Sequence, residues 1–257
     1  MRTVYQQSGL SPQVTEALVL NHRKRKDMFP TTSKSCLLAL LLLALPLPAL
    51  AIPAITCHCF TDRSYDPARP TAADPYFLAT TQNSFLALAL NAEKRTIVLK
   101  KQRGASADDL WVAYWLASRT GVSAESLLDN RKAKENWKDA VAGSGIDTRS
   151  LPPQFAKELH SGAPSEALAR KVVDDLLIGY RLINEAELAA VRKNWATNQE
   201  VIIASIIASK TRRPARQIHL EAKNGNKSWG GLLQTAGIDT SAIEEEIETL
   251  LQARKRL

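Results

Sequence analysis

The sequence predicts a mainly α-helical protein, with duplicated three-helix units following an irregular N-terminal segment. Three observations carry this expectation. Beyond Gly104, apolar residues recur at the spacing of a helix face. Two stretches share the same residues in the same order, offset by 91 residues in the first part and 92 in the second. The C-terminal segment reads as a complete helix, with a capping pair, one apolar stripe and a basic end.

The elements are taken in chain order. Residues 1–51 read as a leader and signal peptide. Arg23, Lys24, Arg25, Lys26 and Lys34 precede a short apolar run from Cys36 to Leu45, and the small-x-small triplet Ala49, Leu50, Ala51 comes after it. Cleavage is expected after Ala51. The alternative is an uncleaved membrane anchor, but Pro46, Pro48 and Pro53 interrupt the roughly 20 apolar residues that a span needs. Met28 makes a second candidate start, because the residues after it form an ordinary signal peptide on their own. The chain is therefore expected to be periplasmic or secreted. It would contact a membrane only if the signal is retained.

Export changes the reading of charge. The full chain carries a net +8, and removing residues 1–51 takes away six lysines and arginines and two acids, leaving +4. So mild a surplus, in an exported protein, argues against nucleic acid as a partner. Arg212, Arg213 and Arg216 form the one notable basic cluster, read here as a solvated face.

Residues 52–104 form the N-terminal segment. Its first part is rich in Pro, Asp, Thr and Arg and reads as irregular. Asp74 followed by Pro75 predicts a helix start, with Asp74 as the cap, and the helix should run to about Leu90. Arg95–Leu99, with its β-branched residues, is read as a short strand. Residues 105–151 make the first helical unit. Ser106 caps its first helix, which carries Leu110, Trp111, Tyr114 and Trp115. Residues 152–197 are connecting helices, and residues 198–257 hold the second unit and the C-terminal helix, with Ser241 and Glu244 as its capping box.

The duplication rests on particular residues. Ala117, Ser118, Arg119 and Thr120, then Trp137, then Gly145, Ile146, Asp147 and Thr148 recur as Ala208, Ser209, Lys210 and Thr211, then Trp229, then Gly237, Ile238, Asp239 and Thr240. Lys132 and Lys223 also align. Trp137 and Trp229 are expected to pin the core of each unit. Gly145 and Gly237 should end the third helix, and Asp147 and Asp239 should cap the next element of the chain. The second unit has Arg212, Arg213, Pro214 where the first has Gly121, Val122, Ser123, so its turn is expected to differ. The unit from Ala117 through Trp137 to Asp147 resembles a helical module of uncharacterised exported bacterial proteins. That resemblance implies a helical fold and no known activity.

One segment carries evident reactive chemistry. Cys57, His58 and Cys59 lie beside one another, and once Cys36 leaves with the signal, the two cysteines form an even pair in an oxidising compartment. A disulfide tying down the N-terminal segment is the first reading, though a ring this small is strained. A metal site on Cys57, Cys59 and His58 is a second; thiolates favour copper(I) or zinc, and His160 or His219 could supply a further ligand. Redox exchange is a third. No cofactor is predicted, since haem, nucleotide and zinc-protease motifs are missing from the sequence. With no catalytic residue set in view, the expected function is a non-enzymatic interaction or scaffold role with an envelope partner. The alternative is thiol-redox or metal handling at Cys57 and Cys59.

Overall fold

A computed structural model describes residues 60–255, which contain twelve α-helices, one 3-10 turn and no strand. Residues 60–73 run as turns across the surface. They end at α1 (Asp74–Ala89), whose N-cap is Ala73. Pro75 sits in the first turn, as expected, but Asp74 lies inside the helix and sends its carboxylate elsewhere. The stretch read as a strand is a helix, α2 (Lys94–Gln102). Its β-branched residues lower helix propensity only by tenths of a kcal/mol. Burying Ile97 against α1 outweighs that.

Four helices come next: α3 (Ala107–Thr120), α4 (Ala124–Ala133), α5 (Trp137–Ala142) and α6 (Pro153–His160). Ser106, Ser123 and Asn136 cap the first three by accepting a backbone N–H three residues on. The sequence then runs through the same course again. It forms α7 (Ser165–Gly179), α8 (Glu185–Lys193), α9 (Asn198–Thr211), α10 (Ala215–Lys223), α11 (Trp229–Thr235) and α12 (Ile243–Lys255).

Helix by helix, α1–α6 correspond to α7–α12. The lengths are 16 and 15 residues, 9 and 9, 14 and 14, 10 and 9, 6 and 7, and 8 and 13, so only the last pair differs by more than one residue. Four turns match in the same way, although left-handed Gly225 has extended Lys134 as its counterpart. The chain takes the left-handed conformation at Asn91 and Arg181, Gly104 and Trp195, Gly121 and Arg212, and Gly145 and Gly237. The turn expected to differ at Arg212 is therefore the same turn, built without a glycine. The correspondence also reaches further than the three-helix units, because α1–α2 of the N-terminal segment match α7–α8 of the connecting helices.

The halves are packed crosswise. The third helix of each half lies on the first helix of the other, α3 on α7 and α9 on α1, and the sixth helices do likewise, α6 on α7 and α12 on α1. The core is continuous across both. Trp111, Trp115, Trp137, Phe77, Phe85 and Phe155 are all fully buried, each contributing roughly 2–3 kcal/mol. Phe85 tilts against Trp111 at 6.0 Å, and Trp115 against Phe155 at 4.3 Å. Gly230, in α11, is needed for a close approach: a Cβ there would sit 2.7 Å from the Tyr65 ring and 2.8 Å from that of Phe77. The capping box predicted at Ser241 and Glu244 does not form. Asp239 accepts from the Ser241 amide and hydroxyl, and Glu244 pairs with Lys94 at 2.9 Å. A true capping box joins Thr197 and Glu200 at the start of α9.

Candidate functional site

The residues singled out as repeat markers hold the fold. Trp137 and Trp229 are buried, at the first position of α5 and α11. Gly145 and Gly237 take the left-handed conformation after those helices. Asp147 accepts from the Arg149 amide and Asp239 from that of Ser241, each starting the next turn. Cys57, His58 and Cys59 lie outside the described residues. Of the histidines named beside them, His160 is exposed and bonded to Thr148, and His219 is buried. Among the described residues no three metal-ligating side chains cluster.

Polar ties across the two halves come next. Asp109, at the third position of α3, accepts from the Trp137 indole at 2.8 Å and from Ser165, at the start of α7, at 2.7 Å. Arg131 stands 3.3 Å away. In the other half the tie runs back: Asp74, the counterpart of Ser165, accepts from the Gly230 amide at 3.0 Å. Glu200, the counterpart of Asp109, turns instead to Thr197 and to His219, whose Nε2 is 3.8 Å from its carboxylate. Burial alone would push the Glu200 carboxyl up. His219 and the Thr197 donors overcome that and hold it down at about 2.

A buried cation sits at one matching point in each half. Lys101 of α2 is buried and donates to the Asn83 amide oxygen at 3.0 Å. Burial pushes its pKa down, with Asp108 opposing. Arg192 of α8 binds the Asp174 carboxylate at 2.6 and 3.1 Å. It also reaches the Ala196 carbonyl at 2.9 Å and the Asn198 side chain at 2.7 Å.

That last pair of contacts frames the most exposed large apolar residue of the described chain. Trp195 is 87% exposed, and its backbone is left-handed, with φ at 62°. Its counterpart is Gly104. A non-glycine residue there costs about 1–2 kcal/mol. The turn is nevertheless braced: Arg192 holds the carbonyl after Trp195, and Lys223 donates to the carbonyl of Asn194 before it. In the first half Lys132, the counterpart of Lys223, instead faces Asp129 at 3.6 Å.

The other two strained residues of the second half share one cleft. Arg181 and Arg212, both left-handed, line an open cleft of about 700 Å³ with Arg213 and Arg254. Arg213 is paired with Glu221. Glu185 and Glu187 also line the cleft, and Glu187 accepts from the Arg216 amide at 2.8 Å. The side chains of Arg181, Arg212 and Arg254 have no hydrogen-bond or ion-pair partner among the described residues. At the matching places of the first half stand Asn91, Gly121 and Val122.

No protein-family model, no curated protein and no solved structure matches the chain. Sequence reading picks out Arg212 and Arg213 and takes Arg254 as a helix-end cation; it does not single out Arg181 or Trp195. Arg181, Arg254 and Trp195 lie on other helices or turns, and only the fold brings the arginines together.

Proposed function

We propose that this is an exported, non-enzymatic interaction protein of the cell envelope, with Trp195 as its main partner-binding residue. The observation that carries the reading is the braced, strained display of Trp195. Tryptophan is enriched at the centres of protein interfaces, where its large rigid surface fills a partner's pocket. A turn that would accept glycine without strain carries tryptophan instead, with hydrogen bonds on both flanking carbonyls. Such an arrangement lowers the entropy lost on binding. The crosswise helical frame supplies a rigid mount. We further infer that the frame arose by duplication of a unit of about six helices, supported by matched helix order, caps and left-handed turns.

A photoreactive phenylalanine analogue at position 195, in cells exporting the protein, tests the reading. It should yield a discrete adduct with one envelope protein, lost in competition with wild type but not with Trp195→Gly. The same label at Leu99, the other exposed large apolar residue among those described, should not yield it. Adducts indistinguishable between the two positions would overturn it. Mass spectrometry of the same exported material should show a chain starting at Ile52.

A further inference from the structure

We propose that the cleft between the α8 and α10 ends binds a small molecule carrying at least two anionic oxygen groups, phosphate or carboxylate. The inference does not depend on Trp195, which lies on a different turn. Three observations support it.

The first is supply of charge. Arg181, Arg212, Arg213 and Arg254 reach the cleft from three segments: the α7–α8 turn, the α9–α10 turn, which carries both Arg212 and Arg213, and the last turn of α12. The guanidinium groups of Arg181, Arg212 and Arg254 have no partner among the described residues. Guanidinium groups bind carboxylate and phosphate oxygens through paired N–H donors, and an open fork is the form that does so. The second is strain. Arg181 and Arg212 occupy the left-handed region, at φ 54° and 58°, where asparagine and glycine serve the first half. Strained backbone persists only where the surrounding structure over-determines it, and it clusters at ligand-binding sites. The third is contrast. The corresponding positions of the first half hold Asn91, Gly121 and Val122, none of them an arginine, so these turns do not require the charge.

The two carboxylates of the lining set limits on the ligand. Glu187 is engaged with the Arg216 amide, and Glu185 is exposed in the first turn of α8. With Arg213 paired with Glu221, three open arginines against Glu185 and Glu187 leave a small positive field. That field suits a compact anion of two or three charges, not a long polyanion. A cleft of about 700 Å³ accommodates a molecule of that class with room to spare.

The test uses the full exported chain, at low ionic strength, because salt screens such contacts. Pyrophosphate and citrate are titrated separately by calorimetry into wild type, Arg181→Asn, Arg212→Gly and Arg254→Gln, and the melting temperature of each protein is recorded. The first two variants install first-half residues, so each should melt at the wild-type temperature or roughly 1–4 °C above it. Wild type should bind one of the two anions at one site, and each variant should bind it about tenfold more weakly. Binding of pyrophosphate alone assigns a phosphate ligand; binding of citrate alone assigns a carboxylate one. If neither binds at millimolar concentration, or if binding survives in all three variants, the proposal fails. It also fails if Arg181→Asn and Arg212→Gly both melt lower and Arg254→Gln binds normally, because the arginines would then be serving the fold.

Discussion

The two halves of the molecule place a cation at the same point of the same helix and treat it differently. Lys101 is buried against a neutral amide, Asn83, whereas Arg192 meets a carboxylate, Asp174, and directs its remaining donors to the turn that carries Trp195. The same divergence recurs at four other matched positions. Gly104 matches Trp195, Gly121 matches Arg212, Asn91 matches Arg181 and Leu128 matches His219. In each case the first half holds a residue suited to its local backbone or core. The second half holds an arginine or a tryptophan on left-handed backbone at three of them, and a buried histidine at the fourth. One frame supports both sets of residues.

The largest expected effect tests the buried ion pair. Asp174→Ala removes the partner of a guanidinium that is mostly buried, and loss of one member of such a pair costs about 3–5 kcal/mol. Urea unfolding should show it, whereas Asn83→Ala in the first half should cost less, because an amide is the weaker partner. Equal costs would remove the distinction between the halves. Gly230→Ala is next. The new methyl group would press on Phe77, which is fully buried and has no room to yield, so a loss of about 1–3 kcal/mol is expected. Its neighbour Gly231, whose Cβ would meet only side-chain atoms at 3.2 Å and beyond, should tolerate alanine better.

A smaller effect is pH-dependent. Glu200 is held at about 2, below its ordinary 4.5, so its contribution to stability is full above pH 4.5 and is lost as the pH falls towards 2. His219→Leu installs the residue of the first half and should flatten the stability profile of the protein within that window. A profile unchanged between pH 4.5 and 2 would show that Thr197 alone holds the carboxylate. The smallest effect has the opposite sign. Trp195→Gly relieves left-handed strain but loosens the unfolded chain, for a net gain of about 0.5–1 kcal/mol.

Much of the frame was legible in the sequence, because caps and helix ends are local. Ser106, Asp147 and Asp239 act where their spacing places them, and Trp137 and Trp229 are buried as their matched positions imply. The helical class was equally legible. The hidden part is non-local. The stretch Arg95–Leu99 has strand-like residues, but α1 gives it a surface on which to bury Ile97, so it folds as a helix. The correspondence of α1–α2 with α7–α8 was obscured because matched positions share geometry, not chemistry: Asn83 with Asp174, Lys101 with Arg192, Gly104 with Trp195. The turn at Arg212 lacks the glycine of its counterpart, yet the backbone keeps the glycine conformation. The arginine cleft draws on residues far apart along the chain, which no spacing rule connects.

The central claim is that Arg181, Trp195 and Arg212 are kept for recognition at the expense of stability. One calorimetric melt tests it most directly: the full chain against the triple variant Arg181→Asn, Trp195→Gly, Arg212→Gly. Added over three strained sites, the gain should be about 2 kcal/mol, raising the melting temperature by roughly 4–8 °C. A melting temperature below wild type would contradict the account, because those side chains would then be holding the fold together.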